Sequence, residues 1–297
     1  MTAEQELIKK LDKPDLLVVA GSRLYGTSTP VSDYDYRGFV IPPFEYTLGL
    51  HKFEHRIIRE PDTVIYSVRR FFELLMLGDP TVYEILFAPE SKIVNHSVAG
   101  DMVLSNRSLF ACKKFARRIG GYAQSEWRKV TGTQLVPIKR TSSEDVVVEN
   151  IRQTFHPPKE DMDEIVRLLF SQHPREIRPA RRKLGAKRKA QIEQYGYCTS
   201  SACHTIRLLG QLVELMETGK ITFPSPNAEL LLSIKTGQKR LNEVDDIYQE
   251  LVSKSHCAER DTHLPDNPDV RQIRDLYNAI VADAIRSDSR MPTLRNG

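Results

Sequence analysis

The first third of the chain alternates between helical spacing of apolar residues and short continuous apolar runs. Residues 2–12, TAEQELIKKLD, predict a short amphipathic helix, which Pro14 ends because proline cannot donate the next backbone hydrogen bond. Leu16 to Ala20 is a brief apolar run entering Gly21 and Ser22, the pattern of a strand buried on both faces and closed by a turn. Arg23 to Thr29 then predicts a turn or the first turns of a helix, stopped by Pro30. From Ser32 to Ile41, residues Asp33, Asp35 and Arg37 share one parity and Tyr34, Tyr36 and Val40 the other, so a strand there presents two carboxylates on one face. Val64 to Tyr66 predicts a further strand. Ser67 caps a helix through Leu77 that ends at Gly78 and Pro80, and Thr81 to Phe87 starts again with Thr81 and Glu84 at capping-box spacing.

Beyond residue 95 the strand-like alternation fades. Helical spacing predicts helices over Leu109–Tyr122, Met162–Phe170, Arg181–Gln194, Ser201–Glu217 and Val270–Ile285, while 131–160 and 255–269, rich in Thr, Pro, Asp and Ser, predict loops. The expected architecture is α+β: a catalytic core over residues 1–95, built on a small mixed sheet flanked by helices, and a mostly helical substrate-binding region over 96–297. No repeat or low-complexity tract interrupts it.

Composition narrows the class. With 297 residues, 40% of them hydrophobic, the chain can bury a sizeable core, and 43 Lys and Arg against 39 Asp and Glu leave a net charge of +4, which excludes histone-like charge. The balance is uneven: residues 1–95 hold 11 basic and 14 acidic side chains, and the remainder 32 and 25. The positive field therefore belongs to the later part. Four cysteines, no cationic leader and no long apolar run point to a cytoplasmic, reducing setting without a membrane span.

The chemistry concentrates in GSRLYGTSTPVSDYDYRG, residues 21–38. Gly21 and Ser22 stand where a buried strand turns, so backbone N–H groups and the Ser22 hydroxyl can approach a phosphate with no Cβ in the way. Asp33 and Asp35 follow, and paired carboxylate oxygens suit hard divalent cations such as Mg²⁺ or Mn²⁺, which keep water and substrate phosphate as further ligands. A metal-bridged triphosphate fits between cradle and carboxylates, the arrangement for in-line displacement at phosphorus. The third carboxylate that usually shares this work is Asp62 in REPDTVIYS, with Glu60 as the second choice. Each element alone has an ordinary explanation, since Gly-Ser is a common turn, Asp-x-Asp a common solvated edge and Pro61-Asp62 a good turn between two strands.

Taken together, these residues resemble the nucleotidyltransferase superfamily of DNA polymerase β: an apolar strand LLVVAGS, ten residues RLYGTSTPVS, then DYDYRG. The segment is most similar to the predicted nucleotidyltransferases associated with RNA ligases and RNA repair, in which GSR-x-YGT-x-TP-x-SDYDYRG is nearly the whole motif, followed by a Phe-rich helix and a piece like NPT-x-x-E-x-LF; here RRFFELLMLGDPTVYEILFAP occupies 69–89. Looser similarity continues at 204–221, 230–238 and 262–269. The resemblance implies a mixed α/β core with a helical extension, divalent-metal dependence and transfer of a nucleoside monophosphate from an NTP (ATP or another), with Ser22, Asp33 and Asp35 in the family roles by direct match and Asp62 by a looser one. Relatives usually carry a Lys four residues before the helix histidine, whereas this chain has Ser200.

Further candidates lie outside the motif. His204, Arg207, Gln211 and Glu214 recur at spacings of three and four, either a solvated helix face or, with the resemblance, a stripe in which His204 and Arg207 bind the nucleotide. Arg23 and Arg37 flank the motif as further phosphate contacts. Between Arg175 and Lys189, eight of fifteen residues are basic, among them Arg178, Arg181, Arg182, Lys183, Lys187, Arg188 and Lys189, and this cluster is the expected contact for RNA or tRNA. Lys113, Lys114, Arg117, Arg118, Trp127, Arg128 and Lys129 form a second basic group with an aromatic for base stacking. Cys198, Cys203, His204, His256, Cys257 and His263 fit no compact zinc-ligand spacing. The expected activity is NMP transfer to a hydroxyl, foremost an RNA or tRNA end, with a protein side chain or small molecule as alternative acceptor and a catalytically silent nucleic-acid-binding protein as the reading from another class.

Overall fold

The structure, a computed structural model, describes residues 2–130, 133–137, 148, 151, 162, 175–179 and 185–287 of the chain. It divides into two compact units, residues 1–127 together with 199–297, and residues 128–198.

In the first unit, α1 (Ala3–Asp12) is capped by Thr2 through a capping box, and β1 (Leu16–Ala20) leads directly into the short α2 (Gly21–Tyr25). β2 (Asp35–Val40), α3 (Phe44–Thr47), β3 (His55–Arg59) and β4 (Asp62–Ser67) follow. The strands of this unit, with β5 (Ile93–His96), form one mixed sheet in the order β3-β4-β2-β1-β5, in which β2 and β4 run parallel and the other neighbours antiparallel. The carboxylate strand expected from Ser32 begins only at Asp35, so Asp33 lies on the approach to it. β1 alternates between fully and partly buried residues and is thus less enclosed than its apolar composition predicts.

α4 (Val68–Leu77) starts where Ser67 Oγ accepts from the Arg70 amide at 3.1 Å and stops at Gly78 in the left-handed conformation, as predicted. The next helix, α5 (Pro80–Leu86), departs from expectation. Asp79, not Thr81, is its cap, accepting from the Thr81 amide at 2.9 Å, and Glu84 is turned into the interior instead of back to the helix start. α6 (Val98–Ser105) and α7 (Lys113–Val130) come next, so the helix placed at 109–122 starts later and runs further.

The second unit contains an antiparallel pair, β6 (Thr133–Pro137) and β7 (Arg175–Pro179), and α8 (Ala186–Tyr195). β6 interrupts the segment 131–160 expected to be loop throughout; the predicted helix after Met162 and residues Arg181, Arg182 and Lys183 lie outside the described residues.

The remaining helices return to the first unit: α9 (Thr199–Thr218), α10 (Ala228–Lys235), α11 (Leu241–Asp261) and α12 (Val270–Ser287). The expected loop at 255–269 is helical as far as Asp261, because Ala258 and Ser255 are buried and hold the last turns against α9. Leu208, Leu209, Leu212 and Leu215 of α9 and Ile280 of α12 enter the same core as Leu16 and Val18 of β1, Phe39 of β2 and Phe71 and Leu75 of α4, where Phe39 stacks on Phe71 at 4.8 Å. α9 is therefore buried around most of its circumference: of its polar stripe, Arg207 and Gln211 are buried, Glu214 is half-buried and His204 is exposed.

Candidate active site

β1 and β2 pair so that Ala20 stands opposite Asp35, which brings the Gly-Ser turn against the Asp-x-Asp segment. Gly21 has φ +63°, and a Cβ built on it would lie 1.9 Å from Asp35 Oδ2 and 2.8 Å from Cγ. Only glycine tolerates both that conformation and a carboxylate resting on its α-carbon. Ser22, half-buried in α2, accepts at its carbonyl from the Thr27 amide at 2.9 Å, closing the turn.

Asp62 stands opposite Asp35 on β4, so in this parallel register both side chains leave the same face, and Asp33 precedes Asp35 with the same parity. Glu60 is exposed in the turn before β4. Burial, with Asp62 and Asp33 adding to it, pushes the Asp35 carboxyl above the ordinary carboxylate range, against the opposing pull of Arg37 and Lys235. Arg37 pairs with Asp62 at 2.9 Å and donates to the carbonyls of Tyr36 and Asp62 at 2.7 and 3.0 Å. Among the described residues no three His, Cys, Asp or Glu side chains converge as a preformed metal cluster.

Arg23 acts on the loop that delivers Asp33. Its guanidinium donates to the carbonyls of Ser32 and Asp33 at 2.7 and 3.3 Å and lies 3.8 Å from the centre of the Tyr34 ring. A cleft of about 250 Å³ adjoins the turn, lined in part by Gly21, Tyr25, Arg37, Glu84, His204 and Arg207. Its wall is a buried polar network: Arg207 and Glu84 form an ion pair with both side chains 5% exposed, Tyr25 donates its hydroxyl to Glu84, and Arg207 donates to Gln211 at 3.1 Å and stacks 3.9 Å from the Tyr25 ring centre. Burial disfavours the Arg207 charge, but Glu84 and Tyr25 beside it outweigh that and hold the guanidinium protonated; burial drives the Tyr25 hydroxyl well above its usual range. Arg207 also approaches His204 Nδ1 at 3.3 Å, and because a guanidinium cannot accept, Nδ1 is the acceptor and the ring proton belongs on Nε2.

Three of these participants are not among the site residues expected from the sequence. Glu84 was masked by its capping-box spacing, although a lone acid inside VYEILF signals a buried partner. Tyr25 looked like a turn residue. Lys235 of α10 donates to the Thr27 carbonyl at 3.0 Å and so stands over the same turn, with nothing in its local spacing to announce it.

The chain matches the RNA repair pathway DNA polymerase beta family over residues 16–276. It belongs to that family. The matched span takes in the five-stranded sheet, the Gly21 turn, the three aspartates and α9 to α11, and the fold is the polymerase β-like α+β arrangement followed by helices. The chain is also similar to an uncharacterized 38.9 kDa protein of the nrdC-mobD intergenic region of Enterobacteria phage T4, 23% identical over 294 residues, covering 80% of this chain and 87% of that one. No solved structure matches it.

The basic groups are distributed differently from the site. Lys187, Arg188 and Lys189 are exposed on α8, and Arg178 lies on β7, both in the second unit. In the other basic group, Lys113 and Arg117 are paired with Asp266 and Glu259, and Trp127 stacks on Tyr248 at 4.0 Å, so that face of the indole is already covered. No helix of the described residues is long and apolar enough to cross a membrane.

Proposed function

We propose that this family member is a metal-dependent nucleotidyltransferase that moves an NMP from an NTP onto a hydroxyl, an RNA or tRNA end during repair, in the cytoplasm. The observation that carries this is the Asp35 carboxylate seated on Gly21, which unites the phosphate turn and the acidic segment at one point.

The donor set fits a divalent cation. Asp35, Asp33 and Asp62 gather like charge where burial already opposes ionisation, an arrangement that a hard cation relieves and carboxylate oxygens suit. Asp33 and Asp35 would hold Mg²⁺ or Mn²⁺, and Asp62 would join them on release from Arg37; when bound, the ion supplies charge neutralisation at the triphosphate and lowers the pKa of the acceptor hydroxyl. Around it, the amides of Gly21 and Ser22 and the Ser22 hydroxyl cradle phosphate oxygens, Arg37 faces the cleft beside them, and Arg23 holds the loop that aims Asp33. His204 and Arg207 line the same cleft, with Arg207 anchored by Glu84. In this reading residues 1–95 supply the turn, the carboxylates and the first phosphate contacts, residues 96–297 add His204 and Arg207, and the cluster from Arg178 to Lys189 offers a further, sequence-blind contact to nucleic acid. Clustered carboxylates weaken the case for a silent nucleic-acid binder, because they repel the phosphates such a protein must attract.

The test is a screen of the four labelled NTPs against RNA, tRNA, protein and small-molecule acceptors with Mg²⁺ or Mn²⁺. Label entering RNA, reduced at least about 100-fold by Asp33→Ala with Asp35→Ala, is expected. Label entering protein or a small molecule instead would reassign the acceptor, and undiminished transfer by the double variant would overturn the site.

A further inference from the structure

We infer that the exposed β3 edge of the catalytic sheet, with the pocket at its far end, is the docking surface for the single-stranded end of the RNA acceptor. This rests on the nucleotidyl-transfer reading above. β3 is one of the two edge strands, and all five of its residues, His55-Arg56-Ile57-Ile58-Arg59, are exposed. Its register ties one end to the catalytic corner, Arg59 standing opposite Asp62, and the other to Tyr66 through His55. Beyond that second end lies a pocket of about 380 Å³ lined by Tyr46, His51, Lys52, Phe53, Arg69 and Arg70, among others. From Asp62 to Ser67, which also lines the pocket, β4 spans about 17 Å, so carboxylates and pocket are joined by one continuous strip of sheet.

The composition of the strip identifies the partner. Residues 51–59 carry Lys52, Arg56 and Arg59 against Glu54 as the single acid before Glu60, the reverse of the net acidic balance of residues 1–95. Cations on an edge strand also discourage pairing with another chain, and by themselves would need no ligand. They are accompanied, however, by apolar groups left in solvent, Ile57 being 57% exposed, Ile58 40%, Leu48 59% and Leu50 99%, and the half-buried Tyr46 ring lies 5.2 Å from the exposed His51 ring at the pocket. Cations that track a backbone, alternating with flat or apolar surfaces on which bases rest, are the recognition chemistry of single-stranded nucleic acid. An acceptor lying along β3 places its last nucleotides at Asp62 and a base several positions back in the pocket.

The experiment measures anisotropy of a fluorescein-labelled single-stranded RNA with the full-length protein and with Lys52→Ala/Arg56→Ala, across a salt series, with NTP binding followed by calorimetry. Expected are at least a tenfold loss of RNA affinity, a slope of log K against log salt shallower by about 1.4 for two lost phosphate contacts, and unchanged NTP binding. Tyr46→Ala, which removes no charged group, is expected to weaken RNA binding with no change in slope. Unchanged RNA affinity in both variants overturns the assignment, as does a wild-type dimer that the first variant dissociates, since the edge would then pair with a second copy. If RNA binding falls as expected but no NTP serves as donor, the activity fails and the docking surface stands.

Discussion

A single α-carbon sets the geometry of the site. Gly21 combines a left-handed backbone with direct contact to Asp35, so Gly21→Ala is expected to destabilise the protein by about 1–2 kcal/mol from the backbone alone and to abolish transfer by displacing the carboxylate; thermal unfolding and label transfer check both. Asp35 makes the opposite kind of prediction. Its raised carboxyl pKa means the folded chain binds that proton more tightly than the unfolded one, so stability without metal falls as pH rises from the ordinary carboxylate value through the raised one. Asp35→Asn should flatten that dependence and raise the metal-free melting temperature at neutral pH while eliminating transfer, a trade expected of a residue kept for chemistry. Glu84→Ala strands the buried Arg207 charge and is expected to cost about 3–5 kcal/mol in denaturant unfolding. The meeting of the Gly21 turn with the Asp35 segment was legible, because the two are close in sequence and pair as neighbouring strands. Glu84 and Arg207 were not legible as partners, because their pairing spans 123 positions and each has a plausible role on its own helix.

Among the elements, those with strong local punctuation were readable: Ser67 and Gly78 bracket α4, and Ser67→Ala should lose about 1 kcal/mol by thermal unfolding through loss of the cap. β1 was legible as a compact apolar run. β3 was not, since HRIIR has neither alternation nor burial and gains its strand geometry only by pairing with β4. The end of α11 was likewise hidden, because a polar, Ser- and His-bearing surface resembles a loop until packing against α9 is taken into account.

At the scale of the molecule, the α+β class and the helical return were visible in the change of periodicity near residue 95. The way helices far apart in the chain share one core with the sheet was not, since it depends on Leu16 and Phe39 joining one buried cluster with Leu208, Leu212 and Ile280. That shared core places His204 and Arg207 beside Gly21 and makes the cleft a joint product of sheet and helices. The most direct measurement of the central claim compares two labels on one NTP incubated with protein, divalent metal and RNA. Label on the α-phosphate should enter RNA and vanish with Asp35→Asn, while label on the γ-phosphate should leave as pyrophosphate. Entry of the γ label, or an Asp35→Asn variant as active as the wild type, would contradict nucleotidyl transfer at this carboxylate.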